Sequence, residues 1–264
     1  MDLDRIAAIL RDTAAREILP RFRALTEGDI REKRPGDLVT VADIAAEKRL
    51  IKELETAAPG TIAMGEESVH EDPTRLELLA GEVPVWIIDP IDGTANFARG
   101  QPAFAVIVAY LESGMTQAGW IYEPLADVMI AASRGGGAWS GGTRLTVVSA
   151  ADAAQSAGSA YGRTPKGIRN AEALKASGRV GSLRNRGCSG LEYLDLATGV
   201  SQFSLHSRSL PWDHAAGMLI AVEAGGVASF LDGTDYDPRI SDRALMAAAN
   251  RDAWQLVHDI VTEA

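Results

Sequence analysis

Apolar residues recur every three or four positions in several stretches of the chain, and this spacing predicts amphipathic helices. The stretches are residues 3–25, the segment between Thr40 and Pro59, and residues 191–200, 213–224 and 252–262. Thr40 is predicted to cap the second helix, because Asp43 follows at the position that completes a capping box. Between these helices the pattern changes to short β-branched runs.

The short runs, separated by glycine-rich turns, predict strands. A first group indicates an antiparallel meander and comprises residues 104–111, 115–122, 128–132 and 138–139. A second group alternates with helical segments and comprises residues 203–205, 227–231 and 244–248. We therefore expect residues 1–145 to form an α+β half, with helices packed on an antiparallel sheet. Residues 146–264 are expected to form an α/β half, and the two halves to make one integrated unit.

The composition is that of a globular protein with an acidic surface. The chain has 264 residues, 46% of them hydrophobic, and a formal net charge of −10. This acidity argues against nucleic acid as the main ligand, because a phosphate backbone requires a basic surface. No apolar run approaches the ~20 residues of a membrane span, and no leader segment is recognisable. Cys188 is the only cysteine, so no intrachain disulfide can form and we expect a cytoplasmic protein.

The clearest chemical signal follows the apolar run at residues 83–88, which predicts a buried strand. Pro90 lacks a backbone donor and is expected to end that strand, so that Asp89 and Asp92 lie close together on a stiff turn. Two neighbouring carboxylates repel each other unless a cation lies between them. Gly93-Thr94 comes next, where the free N–H groups of a helical turn can bind an anion. Carboxylates beside such groups suit metal-assisted phosphate chemistry.

Two further acidic motifs accompany this segment, Gly65-Glu66-Glu67-Ser68 and Trp212-Asp213-His214-Ala215-Ala216-Gly217. Together with residues 89–97, and in this order, they resemble the inositol monophosphatase family of magnesium-dependent, lithium-sensitive phosphatases. The resemblance extends over residues 37–250. It implies a layered α-β-α-β-α sandwich, in which the first half supplies most metal ligands and the second half supplies Asp213.

The resemblance also implies two or three Mg²⁺ ions as cofactors. Glu66, Asp89 and the carbonyl of Ile91 would hold the first ion, and Asp89, Asp92 and Asp213 would hold the second. Each carboxylate also has a simpler interpretation. Glu66 can be a solvated loop residue, Asp89 and Asp92 turn residues, and Asp213 a helix cap. The order of the three motifs favours a metal site over a coincidence of all four.

Charge indicates the type of reaction. A phosphate monoester is a dianion, and paired Mg²⁺ ions neutralise it, orient it for in-line attack and lower the pKa of the attacking water. By resemblance, Thr94 helps to orient this water, while Asp92, Gly93 and Thr94 face the phosphate and the last two bind it through their N–H groups. Glu66 and Asp43 join Thr94 as candidate catalytic residues. The cap of its own helix explains Asp43 equally well.

The sequence departs from the family pattern where the substrate's leaving group is expected. Members that select inositol carry an acidic residue seven positions before the aspartate matching Asp213, and here that residue is His206. A second acidic position of the pattern is Gln202. With Arg208 nearby, this segment suits a second anionic group on the substrate as well as a polyol. In the simpler interpretation, His206 and Arg208 are ordinary surface residues.

The expected partner is a small phosphorylated metabolite, with inositol 1-phosphate as the first candidate. Fructose 1,6-bisphosphate, histidinol phosphate and adenosine 3′,5′-bisphosphate stay open within the same class. The family commonly forms dimers, so a symmetric homodimer is expected. A different hypothesis makes the chain a non-catalytic partner of the transcription machinery. The acidic net charge gives that hypothesis no support, and the intact carboxylate set favours an enzyme.

Overall fold

The computed structural model describes residues 2–161 and 164–263. The helices of this part are α1 Leu3–Thr13, α2 Val41–Ala57, α3 Glu66–Glu71, α4 Thr94–Ala98, α5 Pro165–Ser177, α6 Ser189–Ala197, α7 Pro211–Glu223 and α8 Arg251–Thr262. The strands are β1 Ile30–Arg34, β2 Asp37–Thr40, β3 Ile62–Gly65, β4 Val85–Asp92, β5 Ala105–Glu112, β6 Met115–Glu123, β7 Val128–Ser133, β8 Gly137–Ser140, β9 Thr143–Leu145, β10 Gly158–Tyr161, β11 Leu183–Arg184, β12 Phe203–His206, β13 Val227–Phe230 and β14 Leu245–Ala248. None of the helices in this part is long and apolar enough to cross a membrane.

Two sheets and a hairpin organise the strands. The first sheet has the order β3-β4-β5-β6-β7-β8-β9, and each neighbouring pair is antiparallel except β3 and β4, which are parallel. The second has the order β11-β10-β12-β14-β13, with parallel pairing from β11 to β12 and antiparallel pairing beyond. Strands β1 and β2 form a separate antiparallel hairpin. The predicted meander is therefore the body of the first sheet.

Three apolar cores lie between five layers. Helices α1 and α2 pack on one face of the first sheet, and α6 and α7 lie between the two sheets. Helices α5 and α8 cover the far face of the second sheet. Strand β4 shows why both faces of the first sheet are covered: Trp86 and Ile88 point into the outer core and Val85 and Ile87 into the central one. This is the α-β-α-β-α arrangement that the resemblance implied.

The prediction that Pro90 ends its strand is wrong. Strand β4 runs on to Asp92, and its pairing with β5 shifts between Asp89, opposite Ile107, and Asp92, opposite Ala105. One extra residue on β4 makes this a β-bulge, which tolerates a proline because the extra residue leaves the hydrogen-bonded ladder. Residues three apart on a regular strand face opposite sides of the sheet. The bulge cancels that alternation, and both aspartates line one cleft.

The first helix is shorter than predicted. The α-helical part ends at Thr13 and continues through a π turn and a 3₁₀ turn to Arg21. Pro20 explains the tighter last turn, because it has no backbone N–H to donate to a preceding carbonyl.

Candidate metal centre and active site

Three carboxylates converge at one edge of the first sheet. Glu66 opens α3 directly after β3, and its neighbour Gly65 pairs with Ile88, which places Glu66 beside Asp89 on the adjacent strand. Asp213 enters from the first turn of α7. One oxygen of each of these three carboxylates lies within 4.8 Å of the others. The fold therefore brings together carboxylates that come from three separate sequence motifs.

Asp92 belongs to the same cleft but is also tied to the second half of the chain. Its Oδ2 accepts hydrogen bonds from Gly190 N at 2.6 Å, Ser189 Oγ at 3.0 Å and Cys188 Sγ at 3.2 Å. Burial, together with the negative charge of Asp92, raises the pKa of the Cys188 thiol, so the cysteine acts as a protonated donor and is unsuited to be a nucleophile. These contacts fix the orientation of Asp92 against the start of α6.

The electrostatics of the cluster favour a bound cation. Burial raises the pKa of Glu66, Asp89, Asp92 and Asp213, and repulsion from neighbouring carboxylates raises three of them further. A cation held between them would offset both effects. The donors are carboxylate oxygens, with the Ile91 carbonyl in the same cleft, and such a set fits a hard divalent ion.

Lys33 contacts the cluster from the β1–β2 hairpin. Its Nζ lies 2.5 Å from Glu66 Oε1 and 2.9 Å from Glu67 Oε1, and its side chain is only 3% exposed. Burial opposes the charge of Lys33, but Glu66 and Glu67 outweigh it and raise its pKa. In the sequence, Lys33 lies in a charged segment and belongs to none of the three acidic motifs. The structure shows that Lys33 is the residue that reaches Glu66.

Glu47 is a second residue that sequence reasoning missed. It lies on α2, and its two carboxylate oxygens accept hydrogen bonds from Glu67 N and Ser68 N, both at 2.8 Å. These are free N–H groups of the first turn of α3, so Glu47 holds the helix that begins with Glu66. Gly65 makes the contact possible, because a Cβ there would lie 2.4 Å from the Glu47 side chain. No local sequence motif predicts the contact of Glu47 with Glu67 and Ser68, because these residues are far apart in the chain.

Asp43 caps α2 and also contacts Thr94. Its Oδ2 accepts the backbone N–H of Thr40 at 2.8 Å, which confirms the capping box. Its Oδ1 lies 3.2 Å from Thr94 Oγ1, and the same hydroxyl donates to the Ile91 carbonyl at 2.9 Å. Burial raises the pKa of Asp43 to about 7, although its hydrogen bonds to Thr40 lower it. Asp43 therefore contacts the candidate catalytic hydroxyl while it caps α2.

Gly93 turns the chain between the bulge and α4. Its φ of +89° lies in the left-handed region, which favours glycine, and a Cβ there would lie 2.8 Å from the carbonyl of Ala103. Gly93 and the first residues of α4, Thr94 and Ala95, line the cleft that holds the carboxylates.

His206 is buried, so the simpler interpretation of this histidine as an ordinary surface residue is wrong. The side chain is 3% exposed, its Nε2 lies 2.6 Å from Ser204 Oγ, and its ring stacks on Tyr193 with centroids 5.6 Å apart. Burial lowers the pKa of His206 to about 3, so the imidazole is neutral near pH 7. Arg208, two residues on, is exposed.

A single cleft of about 610 Å³ collects these groups. Every predicted site residue lines it except Asp43, which lies behind Thr94. A cleft of this size is in the usual range for small-molecule sites and is larger than a phosphate group alone requires.

Comparison with known proteins matches residues 2–263 to the inositol monophosphatase family. A fructose-1,6-bisphosphatase/inositol-1-monophosphatase of Thermotoga maritima is 34% identical over 209 residues, which are 77% of this chain and 76% of that protein. An inositol-1-monophosphatase of Mesorhizobium japonicum is 33% identical over 232 residues, 83% of this chain and 82% of the other.

Solved structures show the same architecture. An inositol monophosphatase (IMPase) of Thermotoga maritima superposes with a TM-score of 0.83 at 26% identity, covering 99% of this chain and 98% of its own. Inositol monophosphatase II of Staphylococcus aureus superposes with a TM-score of 0.80 at 26% identity, covering 100% and 94%. The likeness therefore includes both halves of the fold.

Proposed function

The chain belongs to the inositol monophosphatase family and is a phosphatase, and from this membership we propose that it is a Mg²⁺-dependent phosphomonoesterase of small phosphorylated polyols or sugars. The observation that carries the proposal is the convergence of Glu66, Asp89 and Asp213 at the end of a cleft. Their oxygens suit Mg²⁺, and their raised pKa values mark a site that a cation would stabilise.

We assign the ligands in two sets. Glu66, Asp89 and the Ile91 carbonyl would hold one ion, and Asp89, Asp92 and Asp213 a second, with room in the cleft for a third. When bound, Mg²⁺ would neutralise the phosphate dianion and lower the pKa of the attacking water. The hydrogen bonds from residues 188–190 hold Asp92 in place for this task.

Thr94 and its neighbours would orient the attacking water and bind the phosphate. The Thr94 hydroxyl donates its proton to the Ile91 carbonyl, which leaves an oxygen lone pair to accept a hydrogen bond from water. Asp43, whose Oδ1 lies 3.2 Å from this hydroxyl, and Glu66 would act as acceptors for the same water. The N–H groups of Gly93 and Thr94, at the start of α4, would bind phosphate oxygens.

An inositol-1-phosphate-like ester is the proposed substrate type. Several relatives are named inositol monophosphatases, and the Thermotoga maritima relative is also named a fructose-1,6-bisphosphatase. Fructose 1,6-bisphosphate, histidinol phosphate and adenosine 3′,5′-bisphosphate stay in the panel of substrates to be assayed.

The test is phosphate release from this panel by the purified protein, with MgCl₂ or with EDTA. We expect activity only with Mg²⁺. Asp89→Asn should lower kcat at least about a hundredfold, because it removes a ligand charge at nearly constant volume. Asp235→Asn, the same change at an exposed loop position, should leave kcat unchanged. Wild-type turnover by Asp89→Asn at saturating Mg²⁺ would contradict the metal assignment.

We further propose a symmetric homodimer in the cytoplasm. The family resemblance supports the dimer, and the absence of a second cysteine in the sequence fits a reducing compartment. Light scattering at micromolar concentration should give twice the 28.0 kDa of one chain, since a stable interface buries more than about 1,000 Å². A mass of one chain would overturn this assembly.

A further inference from the structure

We infer that Arg208 selects substrates that carry a second anionic group besides the phosphate to be hydrolysed. The inference rests on the proposed function and concerns the leaving-group end of the same cleft. Arg208 lies on the loop between β12 and α7, five residues before Asp213, and lines the cleft that holds the carboxylates. A group bound by its guanidinium would therefore belong to the same substrate molecule.

The second half of the chain brings few acceptors for a neutral polyol to the cleft. Besides Arg208, the described residues of this half that line the cleft with a hydroxyl side chain are Thr164, Ser189, Ser207 and Ser241. Except for Asp37 on the hairpin, the carboxylates that line the cleft are the candidate metal ligands. Carboxylate or amide acceptors of a protein usually bind sugar hydroxyls. A guanidinium with serine or threonine hydroxyls beside it instead suits a phosphate or a carboxylate.

The charge of Arg208 is available to a ligand. No described residue forms an ion pair or a side-chain hydrogen bond with its guanidinium, whereas Lys33 is held by Glu66 and Glu67. His206 and His214, which line the same cleft, are buried, whereas Arg208 is exposed. Arg34 of the β1–β2 hairpin is the other exposed arginine among the described residues of the cleft, and Arg208 is the one on the loop that leads into α7.

The backbone that carries Arg208 is held in place. The next residue, Ser209, is fully buried, and its N–H donates to Ser241 O at 3.2 Å. The Ser209 hydroxyl donates to Ile240 O at 2.7 Å and accepts the N–H of Arg243 at 3.2 Å. Binding would therefore restrict only the arginine side chain and not the loop, which limits the entropy lost when the contact forms.

Two matched pairs of esters test the inference. Fructose 1-phosphate and fructose 1,6-bisphosphate share the phosphate at carbon 1 and differ in the second phosphate. Glycerol 3-phosphate and 3-phosphoglycerate differ by a carboxylate in place of a neutral alcohol, so this pair distinguishes a carboxylate from a phosphate as the second anion. kcat and KM are measured on all four for the wild type, Arg208→Gln and Arg208→Lys. Arg5→Gln, an exposed arginine on α1 in the outer layer, is the control for net charge.

For Arg208→Gln we expect KM to rise about tenfold on the anionic member of at least one pair, which corresponds to about 1.4 kcal/mol. KM on the neutral member and kcat on both should stay within about twofold, because the contact is equally strong in the ground and transition states. Arg208→Lys should recover part of the loss, and Arg5→Gln should match the wild type.

Equal changes in KM on both members of both pairs, or none on either, would overturn the inference while leaving the phosphatase intact. A wild type that hydrolyses inositol 1-phosphate with Mg²⁺ present but neither doubly anionic ester would overturn the inference, whereas one that hydrolyses no ester, inositol 1-phosphate included, would count against the proposed function. A fall in kcat shared by all four esters would show that Arg208 acts on the fold or on the metal site, and would also overturn the inference.

Discussion

At the scale of single residues, the Thr94 hydroxyl shows how hydrogen bonds fix the position of a candidate catalytic group. It lies within hydrogen-bond distance of the Ile91 carbonyl and Asp43 Oδ1, but it has only one proton to donate. Burial brings the pKa of Asp43 to about 7, so near neutral pH this carboxyl can either accept from the hydroxyl or donate to it. In either state the threonine oxygen is held in a fixed position at the cleft.

Thr94→Ala should therefore lower kcat at least about a hundredfold and change KM by less than about threefold, since in the proposed mechanism the hydroxyl orients water and does not hold the leaving group. Steady-state kinetics on the preferred ester of the panel measure both constants. Thr94→Ser keeps the hydroxyl and should stay within about tenfold of the wild-type kcat. If alanine and serine lose activity equally, the methyl group matters and the proposed role of the hydroxyl is wrong.

Ionisation of Asp89 opposes folding in the absence of metal. Its pKa is raised by burial and then by Glu66 and other carboxylates, so the folded state holds its proton to higher pH than the unfolded state. Its ionisation therefore lowers the free energy of unfolding as the pH rises above the unfolded value of about 4. A cation in the cluster would reverse this effect.

With EDTA, Asp89→Asn should accordingly have a higher Tm than the wild type at pH 7–8, and the difference should shrink toward pH 4. A gain of about 1 kcal/mol would raise Tm by about 2–4 °C in a chain of this size. Adding MgCl₂ should raise the Tm of the wild type more than that of the variant. Thermal unfolding followed by circular dichroism at several pH values measures this, and a variant less stable than the wild type at pH 8 with EDTA would contradict it.

At the scale of elements, the start of α3 shows how a short helix acquires a fixed position. Six residues cannot form a stable helix alone, so the placement of Glu66 depends on Glu47 binding two N–H groups of the first turn. The close approach of α2 requires glycine at position 65. An added methyl group would displace Glu47 and leave two buried N–H groups without acceptors.

Gly65→Ala should reduce the free energy of unfolding by about 1–3 kcal/mol and weaken Mg²⁺ binding, because Glu66 shifts with the helix. Chemical denaturation and a Mg²⁺ titration of Tm measure the two effects. Gly28→Ala is the matched control, since its Cβ would meet only Thr26 Oγ1, at 3.8 Å, and it should leave both values unchanged. Equal stability of the two variants would contradict the role of Glu47.

At the scale of the whole molecule, the site depends on both halves of the chain. Glu66, Asp89 and Asp92 come from the first sheet and its connections, and Asp213 comes from α7, which packs between the sheets. A cation bound there joins the two halves. An ion of the same size and lower charge would occupy the same oxygens but stabilise a leaving oxyanion less.

Li⁺ should therefore inhibit hydrolysis at concentrations where Na⁺ does not. Initial rates are measured against LiCl, with NaCl at equal concentration as the control for ionic strength. Superimposable curves for the two salts would contradict lithium sensitivity. Inhibition that disappears as Mg²⁺ is raised would indicate simple competition for one position.

The sequence alone determined many of the elements and indicated the candidate site. Apolar spacing predicted α2, α6, α7, α8 and the meander to within a few residues, because these patterns are set by which face each element buries, whereas α1 ends sooner than predicted and α5 was not predicted. The motifs at Glu66, Asp89 and Asp213 indicated the family and the candidate ligands, because the chemistry requires those residue types in fixed local order. The capping box at Thr40 and Asp43 is likewise local and was predictable.

Tertiary structure decided the features of the site that arise from contacts between distant segments of the chain. The bulge at Pro90 follows from pairing with β5, and the local rule that proline ends a strand cannot anticipate it. Lys33 and Glu47 reach Glu66 and its helix across the fold. His206, for which the sequence offered an anion-binding role or an ordinary surface position, is buried and neutral, whereas Arg208 lines the cleft and is exposed. Burial and long-range pairing, which no local pattern encodes, set these charges and positions.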